Sequence, residues 1–359
     1  MLLRPPTLTR QLPLSLPRPS LPLSSPTSLR FLSSSPPRPS SAPYALPPPH
    51  PHRALLYVPG SSPPARLAKC LNGGLAGESG RGQPDVLILD LEDSVRTEKK
   101  AEARRAVTEA LNAAPSDCRS RKYVRINSQQ QGLDDLETIL KSPNLDGLVL
   151  PKVHTAADLS VVEDFVARFG RTETKDKLKI VASIESPLGL LNMREIVAEG
   201  QKSGRLAALL FAAEDYCASS SLSRTPSRTE LLFARQSLVA HARAHGLIPI
   251  DLVCVHYKGD AALRTLREES EEGRRFGFGG KQVIHPGQVE EVQRAFSPSP
   301  AEIALARRIL SEYASAGSAG AYGLQGEGGQ TAMIDAPMLL QAQGVLETAR
   351  SAGVLEGEE

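Results

Sequence analysis

Several classes of protein are excluded by what this sequence lacks. It has four cysteines in 359 residues, Cys70, Cys118, Cys217 and Cys254, and none forms a Cys-x-x-Cys pair. A disulfide framework or a zinc cluster is therefore not indicated, and four reduced thiols packed as small apolar side chains are expected. No apolar run approaches the ~18 residues that a membrane-spanning helix needs. The formal net charge is only +2, so no global attraction to nucleic acid or to a membrane surface is expected. Gly-x-Gly-x-x-Gly, a phosphate-binding Walker loop and a nucleophile-elbow serine are all missing, which sets aside the common nucleotide and Ser-His-Asp designs.

One absence is local. No Asp or Glu occurs before Glu78, while Arg4, Arg10, Arg18, Arg30 and Arg38 are scattered among Ser, Pro and Leu. Residues 1–52 cannot bury a core and are expected to be a disordered targeting segment of the mitochondrial type, with a processing neighbourhood at Arg30-Phe31-Leu32-Ser33. The potential across the inner mitochondrial membrane would draw such a segment inward, so the matrix is the expected destination.

From Ala54 onward, apolar runs of strand length alternate with longer amphipathic stretches. The strands are expected at Ala54–Val58, Val86–Leu91, Tyr123–Ile126, Gly147–Leu150, Ile180–Ile184, Ala207–Phe211, Ile248–Val255 and Gln282–Ile284. Helices are expected at Lys99–Leu111, Ala156–Phe169, Leu188–Glu199 and Thr229–Ala244. Most of the strands are rich in Val, Ile and Leu without alternation, as in a parallel sheet covered on both faces. Eight βα units predict an α/β fold of the closed (β/α)8 type over residues 53–300, with a doubly wound open sheet as the alternative. Gly277-Phe278-Gly279-Gly280 reads as a turn, Arg264–Arg275 as a charged, solvated helix face, and His241 and His245 as a surface pair. A C-terminal helical extension follows over 301–359, containing a flexible linker at 316–330 and a final helix at Met338–Ala349.

Polar groups stand where the apolar strands stop: Asp90-Leu91-Glu92-Asp93, Arg125, Lys152, Glu185, Asp215 and His285. In a barrel these positions converge on one mouth, where chemistry takes place. Glu185 and Asp215 follow neighbouring strands. Two carboxylates with no Cys or His cluster suit a hard cation such as Mg²⁺, which prefers few protein ligands, several waters and a chelating substrate. Asp90, Glu92 and Asp93 would add negative field and hold the ion's waters, or else cap the following helix. Arg125 would bind a carboxylate or neutralise an oxyanion. These groups describe an enolate site without naming its substrate. Asp335, on the residues alone, reads as the cap of the last helix or as an acid on a mobile arm.

The ordered motifs Leu56-Tyr57-Val58-Pro59-Gly60, Val124-Arg125-Ile126-Asn127, Ile184-Glu185-Ser186, Ala213-Glu214-Asp215-Tyr216, Lys281-Gln282-Val283-Ile284-His285-Pro286, Phe296-Ser297-Pro298-Ser299-Pro300 and Met333-Ile334-Asp335 carry a resemblance. From about Ala54 to Ala349 the chain resembles the HpcH/HpaI aldolase and citrate lyase β-subunit superfamily, and within it the mitochondrial citrate-lyase-β-like branch. The resemblance implies a TIM-type barrel, a homotrimer, Mg²⁺ on Glu185 and Asp215, and substrate binding by Arg125. It implies an acyl-CoA site lined by Tyr57, Ile284 and His285, and a catalytic Asp335 delivered to a neighbouring subunit. The activity it implies is Mg²⁺-dependent cleavage of citramalyl-CoA to acetyl-CoA and pyruvate, or the reverse, malate-synthase-like condensation. Malyl-CoA lyase and citrate lyase β-type citryl lyase are the alternatives within the class, and a non-catalytic CoA-ester-binding barrel is the alternative outside it. The chain departs from the family pattern after the first strand, where the usual lysines are replaced by Ser61-Ser62-Pro63-Pro64-Ala65-Arg66, leaving Arg66 and Lys69 to meet the CoA phosphates. It also has Ala212-Ala213 before Glu214-Asp215 and His256 at an acidic position.

Overall fold

The computed structural model describes residues 51–75, 82–115, 118–315, 322–325 and 331–355. The expected processing neighbourhood and nearly all of the leading segment lie outside them. Eight parallel strands close into a barrel in sequence order, β1 through β8. Its first half is β1 (Ala54–Pro59), α1 (Pro64–Leu71), β2 (Val86–Asp90), α2 (Lys100–Ala113), β3 (Arg121–Arg125), α3 (Gln129–Ile139), β4 (Gly147–Leu150), α4 (Ala156–Phe169) and the short α5 (Thr172–Lys175). The second half is β5 (Lys179–Ile184), α6 (Pro187–Leu191), α7 (Met193–Ser203), β6 (Leu206–Phe211), α8 (Ala213–Ser220), α9 (Leu232–Ala244), β7 (Ile248–Asp251), α10 (Asp260–Arg275), β8 (Gly280–Val283) and α11 (Val289–Ala295). Beyond the barrel come α12 (Pro300–Ser315), an antiparallel pair β9 (Tyr322–Gln325) and β10 (Thr331–Ile334), and α13 (Ala336–Ser351).

The strands lack alternation because both of their faces are buried. Leu55, Ile88, Tyr123, Val149, Val181, Leu210 and Ile250 point inward and fill the barrel. Their neighbours Leu56, Leu87, Val124, Leu148, Ile180 and Leu209 point outward and pack under the helices. Closure joins the ends of this register, with Ala54 opposite Lys281 and Leu56 opposite Val283. At that seam a Cβ on Gly280 would stand 1.8 Å from the His52 carbonyl oxygen. His52 is buried, with its Nε2 3.3 Å from the Tyr123 hydroxyl. His52, assigned above to the leading segment, thus packs against the barrel.

Three sequence expectations are corrected. The seventh strand stops at Asp251 rather than Val255. Beyond it, side chains claim the carbonyls: Arg224 donates to Val253 O (2.9 Å), and Gln288 Nε2 to Cys254 O and His256 O (3.0 Å each). The single helix expected at Leu188–Glu199 is two, broken at Asn192, whose Nδ2 donates to His154 O at 2.8 Å. The stretch Arg264–Arg275 is not simply solvated. Glu269 is buried among Arg224, Arg228 and Lys281, and Glu272 pairs with Arg228 and Arg235. Arg235, 1% exposed, in turn holds Asp251 of β7 with bonds of 2.7 and 3.1 Å. Opposite charges in close, hydrogen-bonded geometry make such burial tolerable.

The extension is a helical hairpin. α12 and α13 share their own apolar cluster around Ile303, Ala306, Ile309, Ile334, Ala342 and Leu346. Within the expected linker at 316–330, residues 322–325 form β9, and the rest lies outside the described residues. The C-terminal end of α13 meets the barrel floor, where Arg53, just before β1, donates to Ala352 O at 3.5 Å. Among the described residues, no helix is long and apolar enough to cross a membrane.

Candidate active site

The barrel mouth is built from strand ends. At the end of β1, Gly60 allows the chain to turn tightly across β2. Its N–H donates to Asp90 O at 2.7 Å, and a Cβ there would stand 2.8 Å from the same oxygen. Asp90 is 1% exposed and Arg125 grips it with a two-pronged contact, Nε to Oδ1 at 2.6 Å and Nη2 to Oδ2 at 2.7 Å. Arg125 Nη1 also reaches Glu92 Oε2 at 3.0 Å, and the guanidinium lies over the Tyr57 ring with Cζ 4.9 Å from its centre. Two of its five N–H groups are used in hydrogen bonds to Asp90, which leaves donor capacity on Nη1 and Nη2 for a substrate carboxylate.

Asp90 is therefore not a holder of metal waters. It takes Arg125 and also caps the turn beyond it, accepting from Glu92 N (3.0 Å), Ser94 N (3.2 Å) and the Ser94 hydroxyl. Glu92 bridges Arg125 and Lys152, while Asp93 stays exposed. Lys100 secures this loop by donating to Leu91 O (3.0 Å), Glu92 O (2.9 Å) and Asn127 Oδ1.

Glu185 follows β5 and is 4% exposed. The Ser183 hydroxyl and the Lys152 backbone N–H favour its ionised form, while its buried Oε2 has no hydrogen-bond partner among the described residues. Burial, chiefly, with the Glu92 and Asp215 charges added, pushes its pKa up to about 7. Lys152 reaches this position with a left-handed φ of 52°. Asp215 stands in the first turn of α8, and its charge is felt at Glu185.

Among the described residues, Asp90, Glu92 and Asp93 pair with Arg125 and Lys152 across this mouth, and Glu185 and Asp215 add two further carboxylates. An excess of carboxylates with an unpartnered buried oxygen fits a hard divalent cation. Among the described residues no cluster of three or more Asp, Glu, His or Cys is shaped to hold a metal. A pair of carboxylates suits Mg²⁺, which keeps several waters.

On the β1 side, Tyr57 donates its hydroxyl to Gln282 Oε1 at 3.2 Å. Burial holds its phenol well above the ordinary range, with Arg125 opposing, so it stays protonated at neutral pH. Gln282 is oriented by two carbonyls, since its Nε2 donates to Phe211 O (3.0 Å) and Asp251 O (3.2 Å). Arg66 and Lys69 of α1 line a cavity of about 290 Å³ with Leu56, Tyr57, Cys70 and Pro286. Ile284 and His285, both exposed, immediately precede Pro286 of that lining. His285 Nδ1 accepts from Gly287 N at 3.1 Å, and its ring stacks on Tyr257 with centres 5.3 Å apart. The structure thus brings Tyr57, Arg66, Lys69, Arg125, Glu185, Asp215, Ile284 and His285 to one end of the barrel. Asp335 is not part of this cluster. It caps α13, accepting from Met338 N at 3.3 Å.

Sequence reading overlooked Gln282, the Lys152 amide and Arg224. Only Gln282 had a local signal, a polar side chain next to Lys281 in the last strand of the barrel.

A closed eightfold barrel with an acid-rich mouth, an anchored arginine and an adjoining cleft defines an enzyme of the α/β-barrel class. The model of the HpcH/HpaI aldolase/citrate lyase family matches residues 53–286, and the chain belongs to that family. It is 36% identical over 316 residues to the human protein named citramalyl-CoA lyase, mitochondrial, covering 84% of this chain and 86% of that protein. To the citrate lyase subunit beta of Escherichia coli K12 it is 32% identical over 310 residues, covering 85% and 95%. A crystal structure of CitE from Mycobacterium tuberculosis, in complex with magnesium, acetoacetate and coenzyme A, superposes with a TM-score of 0.63 at 28% identity, covering 85% of this chain and all of that one.

Proposed function

We propose that this chain is a Mg²⁺-dependent carbon–carbon lyase that cleaves a 3-hydroxyacyl-CoA acid, citramalyl-CoA, to acetyl-CoA and pyruvate. The observation that carries this reading is the buried, unpartnered oxygen of Glu185 in an acid-rich mouth opposite Arg125. The similarity to citramalyl-CoA lyase supports the substrate. Glu185 and Asp215 would hold the ion, whose role is to chelate the substrate's hydroxyl and carboxylate and to acidify that hydroxyl. Arg125, kept rigid by Asp90, takes the carboxylate and offsets the charge of the developing enolate. Tyr57, Ile284 and His285 line the acyl-CoA path, with Arg66 and Lys69 beside it to meet CoA phosphates. Run in reverse, the same groups condense acetyl-CoA with a 2-oxo acid.

A coupled assay across citramalyl-, malyl- and β-methylmalyl-CoA tests this. Pyruvate should appear from citramalyl-CoA and stop with EDTA. No turnover of any of these thioesters by the Mg²⁺-loaded protein would return the chain to a CoA-ester-binding role.

The proton donor to the enolate carbon is Asp335 of a neighbouring subunit in a homotrimer. α13 has 16 residues and its far end meets the barrel floor. At ~1.5 Å per residue, Asp335 stands about 24 Å along that helix from the floor contact. Asp335→Ala should cost only about 1 kcal/mol as a lost cap, yet lower kcat at least 100-fold by removing general acid–base catalysis. Mixed trimers of Asp335→Ala and Glu185→Gln should regain activity, since some mouths then receive an intact acid from the other variant. No recovery on mixing would argue for an acid acting within its own chain. The mitochondrial relatives and the acid-free leading segment support residence in the mitochondrial matrix.

A further inference from the structure

We propose that Arg224 is a positioning residue that fixes Asp215 against Glu185, and that affinity for the divalent cation depends on it. This deepens the metal reading above and rests on it. An ion that takes its ligands at ~2.0–2.1 Å in near-octahedral geometry penalises small displacements of either carboxylate. Glu185 is anchored by a strand end. Asp215 rides on α8, a helix of eight residues outside the sheet. What holds α8 in place therefore decides whether the two acids form one site.

On one flank α8 is tied to the Glu185 strand itself. Ser219 Oγ donates to Glu185 O at 3.2 Å, and Ala212 N to Ile184 O at 3.1 Å. On the other flank the tie is Arg224. Its Nη1 pairs with Glu214, the residue before Asp215. Its Nη2 donates to Val253 O at 2.9 Å and meets Glu269 Oε1 at 3.3 Å. Glu269 Oε2 takes Lys281 Nζ at 3.1 Å, and that lysine of β8 has a side chain 0% exposed. A continuous line of charge thus runs from β8 through α10 and Arg224 to the shoulder of Asp215. One planar guanidinium ties three separate segments together, a task for which a single ammonium lacks the donor geometry.

The surroundings separate this role from a structural one. Without Arg224, Glu269 keeps Lys281 and, at 3.5 Å, Arg228. Glu214 has a side chain 53% exposed and returns to water. No buried charge is orphaned, so the barrel should fold. Arg228 is the control, because it touches the same α10 acids, Glu269 and Glu272, without touching Glu214.

The experiment titrates metal-stripped full-length protein with Mg²⁺ in a calorimeter and records thermal midpoints. Arg224→Met should weaken Mg²⁺ binding tenfold or more. Arg224→Lys should recover part of that loss, and Arg228→Met should stay within twofold of wild type despite a similar fall in midpoint. Wild-type Mg²⁺ affinity in Arg224→Met, or an equal loss in Arg228→Met, would overturn the proposal. Absence of Mg²⁺ binding by wild type would sink the metal reading itself, and this inference with it.

Discussion

Glu185→Gln should abolish Mg²⁺ binding and turnover while making the metal-free protein more stable above pH 7. The carboxyl of Glu185 is raised in the folded state from 4.5 to about 7, first by burial and then by the Glu92 and Asp215 charges. Between those values the folded protein holds a proton that the unfolded chain has released. Stability from this group is therefore greatest below about pH 4.5, falls as pH rises through the window, and levels off above about pH 7. One pH unit corresponds to ~1.36 kcal/mol, so the strain carried by the ionised group is on the order of 3 kcal/mol. Glutamine keeps the shape and acceptor oxygen but drops the charge, and should recover most of that. Mg²⁺ competes with the same proton, so wild-type affinity should fall about tenfold per unit below pH 7 and be flat above it. Calorimetric titrations from pH 5.5 to 8.5, with unfolding curves of both proteins without metal, provide the check. Undiminished Mg²⁺ binding by Glu185→Gln would remove Glu185 from the metal site.

Arg125→Met should be damaging twice over, and the two kinds of damage are separable. Asp90 is buried and holds Arg125 by both oxygens, and Glu92 is buried beside it. Removing the cation leaves the Asp90 carboxylate without its countercharge, and Glu92 with Lys152 alone, at a cost of ~3–5 kcal/mol, readable in denaturant unfolding. Losing an oriented donor at the reacting centre should also lower kcat about 100- to 1,000-fold. Adding Asp90→Asn to Arg125→Met should restore much of the stability and none of the rate. Rate returning along with stability would make Arg125 a structural anchor with no part in the chemistry. Arg125→Lys should behave closer to Met than its charge suggests, because a single ammonium cannot reproduce the fork.

Much of the architecture was readable from local pattern. The doubly buried strands write themselves as unbroken Val, Ile and Leu runs, and the polar groups at their ends mark the mouth. The failures share one cause. Leu252-Val253-Cys254-Val255 is apolar enough to pass for strand, but its carbonyls belong to Arg224 and Gln288, which lie 29 to 34 residues away. The glutamates of α10 look alike whether bathed in water or locked to Arg235 and Lys281. Asp90 reads as a field-making acid until Arg125, 35 residues on, is seen to occupy it. Partners distant in sequence leave no periodic trace. Arg224 carried no local signal for that reason, whereas Asp335 carried a local one, the cap of the last helix, and the structure has it.

The pairing of β1 with β8 has a consequence for how the chain comes into being. Ala54 finds Lys281 only after every other strand exists. On the ribosome, a chain ending anywhere before residue 283 is an open sheet with a bare strand edge at each side and apolar faces awaiting cover. Contacts this remote close slowly, since the loop entropy is lost before the last ladder of hydrogen bonds forms. The nascent polypeptide therefore has a long unfinished interval with unpaired strand edges and uncovered apolar faces. Truncation upstream of β8 should leave aggregates in place of a smaller barrel.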